Sequence, residues 1–362
     1  MHLTDPAGKP ARRGPGPNRS GPWAWLRACV AGLAVLAGLA LPAISSSPAW
    51  ADPSPDAYVA NGGSGNVSVI DTRTNAVVAT VPVGSGPQGV ASTPNGRRVY
   101  VANRGSNTVS VIDTRTNTVV ATIPVGTMPL GIAITPNGRR VYVANVLSGV
   151  SVIDTRTNTV VATVPVGGTL AGVAITPDGR RAYITNFGSG NVQVIDTTTN
   201  TVVATIPVGT SPWGVAITPD GRRAYITNFG SGNVSVIDTT TNTVVATIPV
   251  GSEPQDVAIT PDGRRAYITN TNSNNVSVID TTTNTVVATI PVGSDPWKLA
   301  INPNGRRAYV TTAGTNNVQV INTTTNTVVA TVPVGAFPDA VAITPGNGKH
   351  HKPEKPKKPG HH

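Results

Sequence analysis

Residues 214–250 read GVAITPDGRRAYITNFGSGNVSVIDTTTNTVVATIPV, and most of the chain repeats this pattern. The stretch contains four short runs rich in Val, Ile, Thr and Tyr, named here A (214–218), B (224–228), C (233–238) and D (243–250). The segments between them are Pro-Asp-Gly, Phe-Gly-Ser-Gly and Thr-Thr-Thr-Asn, which have the composition of tight turns. Four β-rich runs joined by short turns predict four antiparallel strands.

The unit recurs every 41 or 42 residues. Seven copies of run C end at Asp71, Asp113, Asp154, Asp196, Asp238, Asp280 and Asn322. Run D contains a Pro in every copy, which makes it an edge strand because Pro cannot donate a backbone hydrogen bond. Run A is rich in Gly and Ala, as expected for strands that crowd near an axis. The sequence therefore predicts an all-β, seven-bladed β-propeller with four antiparallel strands per blade, A innermost and D outermost.

The repeat resembles the YVTN-type propeller repeat family. The segment that names the family is Tyr-Ile-Thr-Asn at 183–186, 225–228 and 267–270, Tyr-Val-Ala-Asn at 58, 100 and 142, and Tyr-Val-Thr-Thr at 309. The resemblance covers residues 58–345 and implies a propeller. This class is known to include lactone hydrolases, a lyase acting on a cyclic antibiotic, haem or quinone enzymes, and nucleic-acid-binding and surface-layer proteins. No His-containing motif of the enzymes is matched, so the resemblance assigns no functional residue here.

The two ends of the repeat region are complementary. The first unit starts at run B with Tyr58, whereas the last segment, 340–344, is a spare run A. One blade should therefore combine three strands from the N-terminal end with one inner strand from the C-terminal end. That pairing would close the ring without a free inner edge.

The propeller is predicted to span residues 52–345. The segments before and after it indicate an exported protein. Residues 1–51 combine a basic stretch, an uncharged stretch over 28–44 and Ala-Trp-Ala, which predicts a signal peptide, with an uncleaved anchor as the alternative. Residues 346–362 hold five Lys against one Glu and predict a disordered basic Pro/Lys/His tail. This tail could adhere to anionic envelope polymers, bind metal through its His residues or simply aid solubility. We expect a secreted or surface-held protein with no stable membrane span after cleavage.

The formal net charge of +10 comes mainly from the two ends. In an antiparallel meander, the A–B and C–D turns share one end of each blade, named here the turn face, and the B–C and D–A loops share the loop face. We predict a formal net charge of +6 on the turn face, from fifteen Arg against nine Asp. The loop face has a predicted net charge of −4, and its carboxylates include Asp52 and Asp56. A solvated, self-paired collar of Arg and Asp is the simple interpretation, and an anion-binding face is the alternative.

Residues repeated in every unit are predicted to serve the blade itself. The Asp that ends run C should accept hydrogen bonds from its turn or from a neighbouring blade. The repeated Tyr should be a half-buried packing residue with a polar tip.

Five aromatic residues stand outside the repeated Tyr between residues 52 and 362, and all of them fall in loops of the loop face. These residues are Phe187, Trp213, Phe229, Trp297 and Phe337. Function often resides in loops held by a rigid scaffold, so we predict that these residues bind a ligand or partner. Plugging of the gap between blades is the alternative for Trp213 and Trp297.

Candidates for catalysis are few. Residues 52–348 contain no His, no Cys and a single Glu, which excludes His-ligated zinc, iron or haem in the propeller. We assign no catalytic residue and predict no cofactor. The remaining chemical candidates are four loop carboxylates, Glu253, Asp256, Asp295 and Asp339. They could hold calcium through oxygen ligands, with scattered solvated acids as the alternative.

The preferred hypothesis is a non-enzymatic, monomeric propeller that binds an extracellular protein or an envelope glycan through the loop face. The first alternative is a hydrolase or lyase that acts on a cyclic ester (lactone) with the loop carboxylates. A nucleic-acid-binding propeller is the second alternative. It is disfavoured because the Arg residues and the aromatic residues fall on opposite faces.

Overall fold

A computed structural model describes residues 55–346 of the chain. They form twenty-eight β-strands in seven four-stranded sheets, with one short 3₁₀ turn at Ala313–Thr315. The predicted seven-bladed propeller with four antiparallel strands per blade is therefore confirmed. The predicted signal peptide (1–51) and the tail beyond Gly346 lie outside the described residues. Within the described residues, no helix has the length and apolar character needed to cross a bilayer.

Blades are numbered here in ring order. Blade 1 contains β1 (Asp56–Asn61), β2 (Asn66–Asp71), β3 (Ala76–Pro82) and β28 (Pro338–Ile343). Blade 2 contains β4 (Pro87–Ser92), β5 (Arg98–Asn103), β6 (Thr108–Asp113) and β7 (Thr118–Pro124). Blade 3 contains β8 (Pro129–Ile134), β9 (Arg140–Asn145), β10 (Gly149–Asp154) and β11 (Thr159–Val164). Blade 4 contains β12 (Leu170–Ile175), β13 (Arg181–Asn186), β14 (Asn191–Asp196) and β15 (Thr201–Pro207).

The remaining three blades follow the same order. Blade 5 contains β16 (Pro212–Ile217), β17 (Arg223–Asn228), β18 (Asn233–Asp238) and β19 (Thr243–Pro249). Blade 6 contains β20 (Pro254–Ile259), β21 (Arg265–Asn270), β22 (Asn275–Asp280) and β23 (Thr285–Pro291). Blade 7 contains β24 (Pro296–Ile301), β25 (Arg307–Thr312), β26 (Asn317–Asn322) and β27 (Thr327–Pro333).

Blade 1 joins the two ends of the described chain. Strand β28 pairs antiparallel with β1 and places Val341 opposite Val59. The Thr344 amide donates to the Asp56 carbonyl at 2.9 Å, and the Asp56 amide donates to Thr344 Oγ1 at 2.9 Å. Strand β28 also contacts β4 and β24, the inner strands of the two flanking blades. The predicted closure by three N-terminal strands and one C-terminal strand is confirmed.

The hydrophobic core lies between neighbouring sheets. Val67 and Val69 of blade 1 pack in one cluster with Val99 and Val101 of blade 2, and equivalent clusters fill the other gaps. Strands B and C are therefore buried on both faces. Strand D is exposed along one side, as Val245 at 52 % exposure illustrates. Strand D is thus the outermost strand, as its Pro predicts.

A hydrogen bond from each repeated Tyr links its blade to the next one. All seven Tyr hydroxyls donate to an Asn in the C–D turn of the next blade, such as Tyr225 to Asn284 at 2.9 Å. Asn284 has a φ of 55°, a left-handed conformation that Asn tolerates well. The Tyr side chains are fully buried. The expectation of a half-buried Tyr is wrong, because the neighbouring blade covers the ring.

The Asp at the end of strand C in blades 1 to 6 caps the turn that follows, and Asn322 does so in blade 7. Asp238 Oδ1 accepts hydrogen bonds from the amides of Thr240 and Thr241 at 2.9 and 3.1 Å. These backbone bonds hold the pKa of Asp238 below its usual value. The predicted turn-bonding role is confirmed, and it explains why this Asp recurs without any shared chemistry.

The third residue of the inner strand lies against the backbone of the next inner strand in blades 2 to 5. This residue is Gly in blades 2 to 5, whereas blades 6, 7 and 1 carry Asp256, Lys298 and Ala340. A Cβ atom at Gly131 would clash with the backbone oxygen of Ala171 in the next blade. The Gly residues are therefore required by the close approach of one backbone to another.

Candidate functional site

Four of the five predicted aromatic residues form one cluster on the loop face. Trp213 and Trp297 are the second residues of β16 and β24, so the prediction that they lie in loops is wrong by the first two residues of these strands. The ring centroids of Phe187 and Trp213 are 5.3 Å apart in an edge-to-face arrangement. Trp213 lies 6.2 Å from Phe229 and 6.5 Å from Trp297. These distances are typical of favourable aromatic pairs. All four rings stay partly exposed, and Phe337 is 60 % exposed.

The cluster rests on a small apolar base. Leu130, Val146 and Ala171 form a buried group against which Phe187 and Trp213 pack. Trp213 therefore seals the junction between blades and also offers part of its surface to solvent. Trp213 can thus fill the gap between blades and also contact a ligand, so its two predicted roles do not exclude each other.

A concave cavity of about 780 Å³ opens on the loop face. Its wall consists of Gly62, Gly63, Gly86, Gln88, Arg104, Gly105, Asn107, Thr127, Met128, Trp297, Phe337 and Asp339. A second cavity of about 230 Å³ shares Gln88, Arg104 and Trp297 with it and is also lined by Phe187 and Trp213. The aromatic cluster and the two cavities thus form one continuous site. Small-molecule sites usually have volumes of roughly 300–1,000 Å³.

Three polar side chains converge in this cavity. The Gln88 amide nitrogen lies 3.4 Å from Asp339 Oδ2. Gln88 Oε1 and Arg104 Nε are buried atoms without a hydrogen-bond partner. Burial raises the pKa of Asp339 to about 6, an effect partly offset by the Gln88 hydrogen bond and the Arg104 charge. Unpartnered buried polar atoms are costly, and a bound ligand would satisfy these two if their side chains rotated toward the cavity.

The sequence predicted Asp339, Trp297 and Phe337 for this site but not Gln88. In the sequence, Arg104 is one of the two cations included in the −4 predicted for the loop face. One signal could have singled it out, because it is the only charged residue in any of the seven B–C loops. Gln88 has no such signal, since an equivalent Gln occurs at position 255.

The four predicted carboxylates do not form a metal site. Asp256 Oδ1 accepts a hydrogen bond from Lys298 Nζ at 3.1 Å, and its Oδ2 accepts one from the Leu299 amide at 3.1 Å. Glu253 and Asp295 occupy the left-handed positions of their D–A loops, with φ values of 54° and 52°. No group of three or more His, Cys, Asp or Glu side chains within residues 55–346 could hold a metal ion. The geometry therefore does not support the calcium site raised from the sequence.

The assignment of Asp56 to the loop face is wrong, and Asp52 lies outside the described residues. Asp56 opens β1 opposite Asp71, where blade 2 has Arg98 opposite Asp113. It therefore lies on the turn face, where burial and the charge of Asp71 raise its pKa to about 6. Among residues 55–346, the turn face carries fifteen Arg against ten Asp, a formal +5. The loop face carries two cations against four carboxylates, a formal −2, so the polarity has the predicted sign and a smaller size.

Two protein families match separate parts of the sequence. The Cytochrome D1 heme domain family matches residues 184–334, and the family described as Lactonase, 7-bladed beta-propeller, matches residues 57–160. Each match covers less than half of the chain. No curated protein matches the sequence. The second match agrees with the seven blades seen here.

Solved structures share the fold. Hydrazine synthase from Kuenenia stuttgartiensis is 27% identical, with 70% of this chain and 88% of that chain covered and a TM-score of 0.65. A candidate 6-phosphogluconolactonase from Bacteroides uniformis is 18% identical, with 81% and 100% covered and a TM-score of 0.68. The dihydro-heme d1 dehydrogenase NirN is 20% identical, with 82% and 77% covered and a TM-score of 0.63.

The haem-related matches raise the question whether this chain could hold a haem. Proteins bind haem iron mainly through His, Cys, Met or Tyr side chains. Residues 55–346 contain no His and no Cys, and all seven Tyr are buried between blades. Met128, at the wall of the larger cavity, is the only sulfur donor among them. This donor set does not fit a haem with paired axial ligands.

Proposed function

We propose that the protein is a non-enzymatic binding protein that holds a glycan of the cell envelope in the loop-face cavity. One observation carries this proposal: an aromatic wall with Trp297 and Phe337 faces the same space as Gln88, Arg104 and Asp339. A sugar ring has an apolar face that packs on aromatic rings and hydroxyls that exchange hydrogen bonds. After a rotation of each side chain toward the cavity, the unpartnered Gln88 Oε1 would accept a bond from such a hydroxyl, and Arg104 Nε would donate one.

The shape of the site favours a glycan over a protein partner. Ligand sites for small molecules are concave and mostly apolar, with a few placed polar groups. A protein partner buries about 800 Å² on each side around a central anchor, which a flat surface suits better. The cavity would accept a glycan segment directly, whereas a protein would need a protruding loop to enter it.

The proposed place of action is the cell exterior. The support is the composition of residues 1–51, which is typical of an export signal. We also propose that the chain belongs to the YVTN-type repeat proteins. The support is the Tyr-Ile-Thr-Asn and Tyr-Val-Ala-Asn segments, together with the Val-Ile-Asp-Thr segments of strand C.

Replacement of Trp297 by Ser tests the glycan proposal. We expect retention on purified, protein-free wall polysaccharide to fall by at least about thirtyfold, since a central aromatic anchor contributes about 2 kcal/mol or more. Sedimentation of the full chain with the polysaccharide at about 0.5 M salt measures this, because that salt screens electrostatic attraction.

The control variant is Val245→Ser, which changes an exposed side chain on the outer rim. It should bind like the unchanged protein, and both variants should keep the same circular dichroism spectrum. Retention that survives Trp297→Ser would contradict the proposal. Retention only on envelopes that still contain their proteins would identify a protein partner instead.

A second candidate function is cleavage of a cyclic ester, by either a hydrolase or a lyase reaction. The observation that favours it is Asp339, whose burial raises its pKa to about 6 inside the cavity. A carboxylate with that pKa could act as a general base at neutral pH, with Arg104 beside it to stabilise a developing oxyanion. The match of residues 57–160 to a lactonase family also supports it.

This candidate predicts a defined pH profile. Turnover of a simple lactone should rise as pH increases through about 6, because Asp339 becomes the active base when it loses its proton. Asp339→Asn should lower turnover by at least about a hundredfold, and Asp295→Asn should leave it unchanged. A lactone assay of both variants from pH 5 to 8 measures this. Absence of turnover in the unchanged protein would reject the enzyme and leave the binding proposal standing.

A further inference from the structure

The near-copies differ in a coordinated way on the turn face. Blades 4 to 6 have Asp in the A–B turn, whereas blades 2, 3 and 7 have Asn95, Asn137 and Asn304. Two residues after the end of strand C, blades 4 to 6 have Thr, whereas blades 1 to 3 have Arg73, Arg115 and Arg156. Strand C ends in Asn322 only in blade 7. Each of these differences adds a positive charge or removes a negative one, and each occurs only in blades of the group 7, 1, 2 and 3.

The charge of the turn face is therefore confined to one half of the ring. Blade 2 has Arg97, Arg98 and Arg115 against Asp113, a formal +2. Blades 3 and 7 also reach +2, whereas blades 4, 5 and 6 each have two Arg against two Asp and are neutral. Blade 1 is −1, because Asp56 stands where other blades have Arg. The whole +5 of this face thus belongs to blades 7, 1, 2 and 3.

These four blades are contiguous and are named here the basic arc. Their inner strands β24, β28, β4 and β8 contact one another in that order around the ring. The chain also enters and leaves at this place, since Asp56 and Thr344 are hydrogen-bonded to each other in blade 1. The sequence that follows Gly346 carries five Lys against one Glu. This positively charged sequence therefore follows the one blade of the arc whose formal charge on the turn face is negative.

The cations of the arc are accessible. Arg97, Arg139, Arg306, Arg115 and Arg156 are all exposed, and none of them forms an ion pair within residues 55–346. The nearby carboxylates are occupied by their turns, as Asp113 Oδ1 accepts a bond from the Arg115 amide at 3.0 Å. A free guanidinium fork matches the geometry of a phosphate group.

We propose that the basic arc binds a linear polymer of phosphodiester groups. The free guanidinium groups lie in blades 7, 2 and 3, whereas Arg73 of blade 1 is exposed but lies 3.7 Å from Asp71 of its own turn. Such a spaced series of cations fits a chain that carries charges at intervals, rather than one small anion. A single-stranded nucleic acid would also use aromatic side chains as stacking platforms. The aromatic side chains of the described residues are either buried Tyr or lie on the loop face, so the arc offers no such platform.

The test compares two variants of the full chain with equal net charge. The arc variant, Arg73→Thr, Arg115→Thr and Arg156→Thr, introduces the residue that blades 4 to 6 already carry at these positions. The control variant, Arg180→Gln, Arg222→Gln and Arg264→Gln, removes three exposed cations from the neutral half. The probe is poly(glycerol phosphate), titrated between about 50 and 300 mM salt because counterion release governs such binding.

We expect the arc variant to lose at least about tenfold in affinity at the lowest salt, and the slope of log affinity against log salt to fall by about two. The control variant should lose less than about threefold. An equal loss in both variants, or no loss in either, overturns the proposal. Tighter binding of the unchanged protein to single-stranded DNA or to phosphatidylglycerol vesicles than to the polymer also overturns it. Trp297→Ser should bind the polymer normally, so this result is separate from the fate of the loop-face proposal.

Discussion

Removal of residues 336–346 is expected to abolish the cooperative folded state of the propeller. The deletion takes away β28, whose residues Ala340 and Val341 are buried at 4 % and 7 % exposure. It also exposes the inner edge of β1 and ends the contacts with β4 and β24. The loss of one inner strand should cost more than about 5 kcal/mol, which is comparable with the whole stability of a typical domain. Thermal unfolding and protease digestion measure it.

A circular permutant is the matched control for this deletion. It carries residues 336–346 in front of Asp56 through a short Gly-Ser linker. Because the Thr344 amide already bonds to the Asp56 carbonyl at 2.9 Å, the two strands can be joined there without rearrangement. The permutant should melt within a few degrees of the unchanged chain. A truncated chain that melts like the full one would show that closure of blade 1 does not maintain the ring.

The substitution Gly131→Ala should destabilise the protein by about 2–4 kcal/mol, a large effect for the addition of one methyl group. The new Cβ would clash with the backbone oxygen of Ala171 and approach the Gly172 Cα to 3.0 Å. Both neighbours are backbone atoms of the next inner strand, so neither can rotate away as a side chain would. Chemical unfolding of the variant, analysed as a two-state transition, gives the free energy difference.

The same substitution at Gly167 is the control, because a Cβ atom there meets nothing within 4 Å. Gly167→Ala should be neutral or slightly stabilising, since Ala restricts the unfolded chain more than Gly does. Equal stability of the Gly131 and Gly167 variants would show that the inner strands can move apart and that the Gly residues are not required by their approach.

The fold could be predicted because each of its constraints is local and repeated. The Pro of strand D identifies an edge strand, and the composition of strand A identifies the crowded centre. The pairing of β28 with β1 is a long-range contact, yet it follows from a simple count of strands at the two ends. The sequence does not predict the full burial of Tyr225, because the side chains that cover its ring belong to the sheet of the following blade.

The candidate site was predicted only in part. A large aromatic side chain at or beside a polar loop is conspicuous, and this identified Phe337 in its loop and Trp297 at the start of β24. The meeting of Gln88 with Asp339 joins residues 251 positions apart in sequence, and ordinary residue types at that separation leave no local pattern. The sequence predicts the wrong face for Asp56 because blade 1 has no A–B turn. Without that turn, the sequence does not show that the first residue of β1 lies on the turn face.

The tyrosine–asparagine bonds between blades also bear on how the number of blades is determined. Every such bond joins identical partners, so each junction would be satisfied equally well in a ring with one repeat more or fewer. These bonds therefore carry no information about the total count. We expect that count to follow from the angle between adjacent sheets, to which the residues beside the axis contribute. In-frame gain or loss of a 42-residue unit would accordingly test curvature rather than recognition between blades.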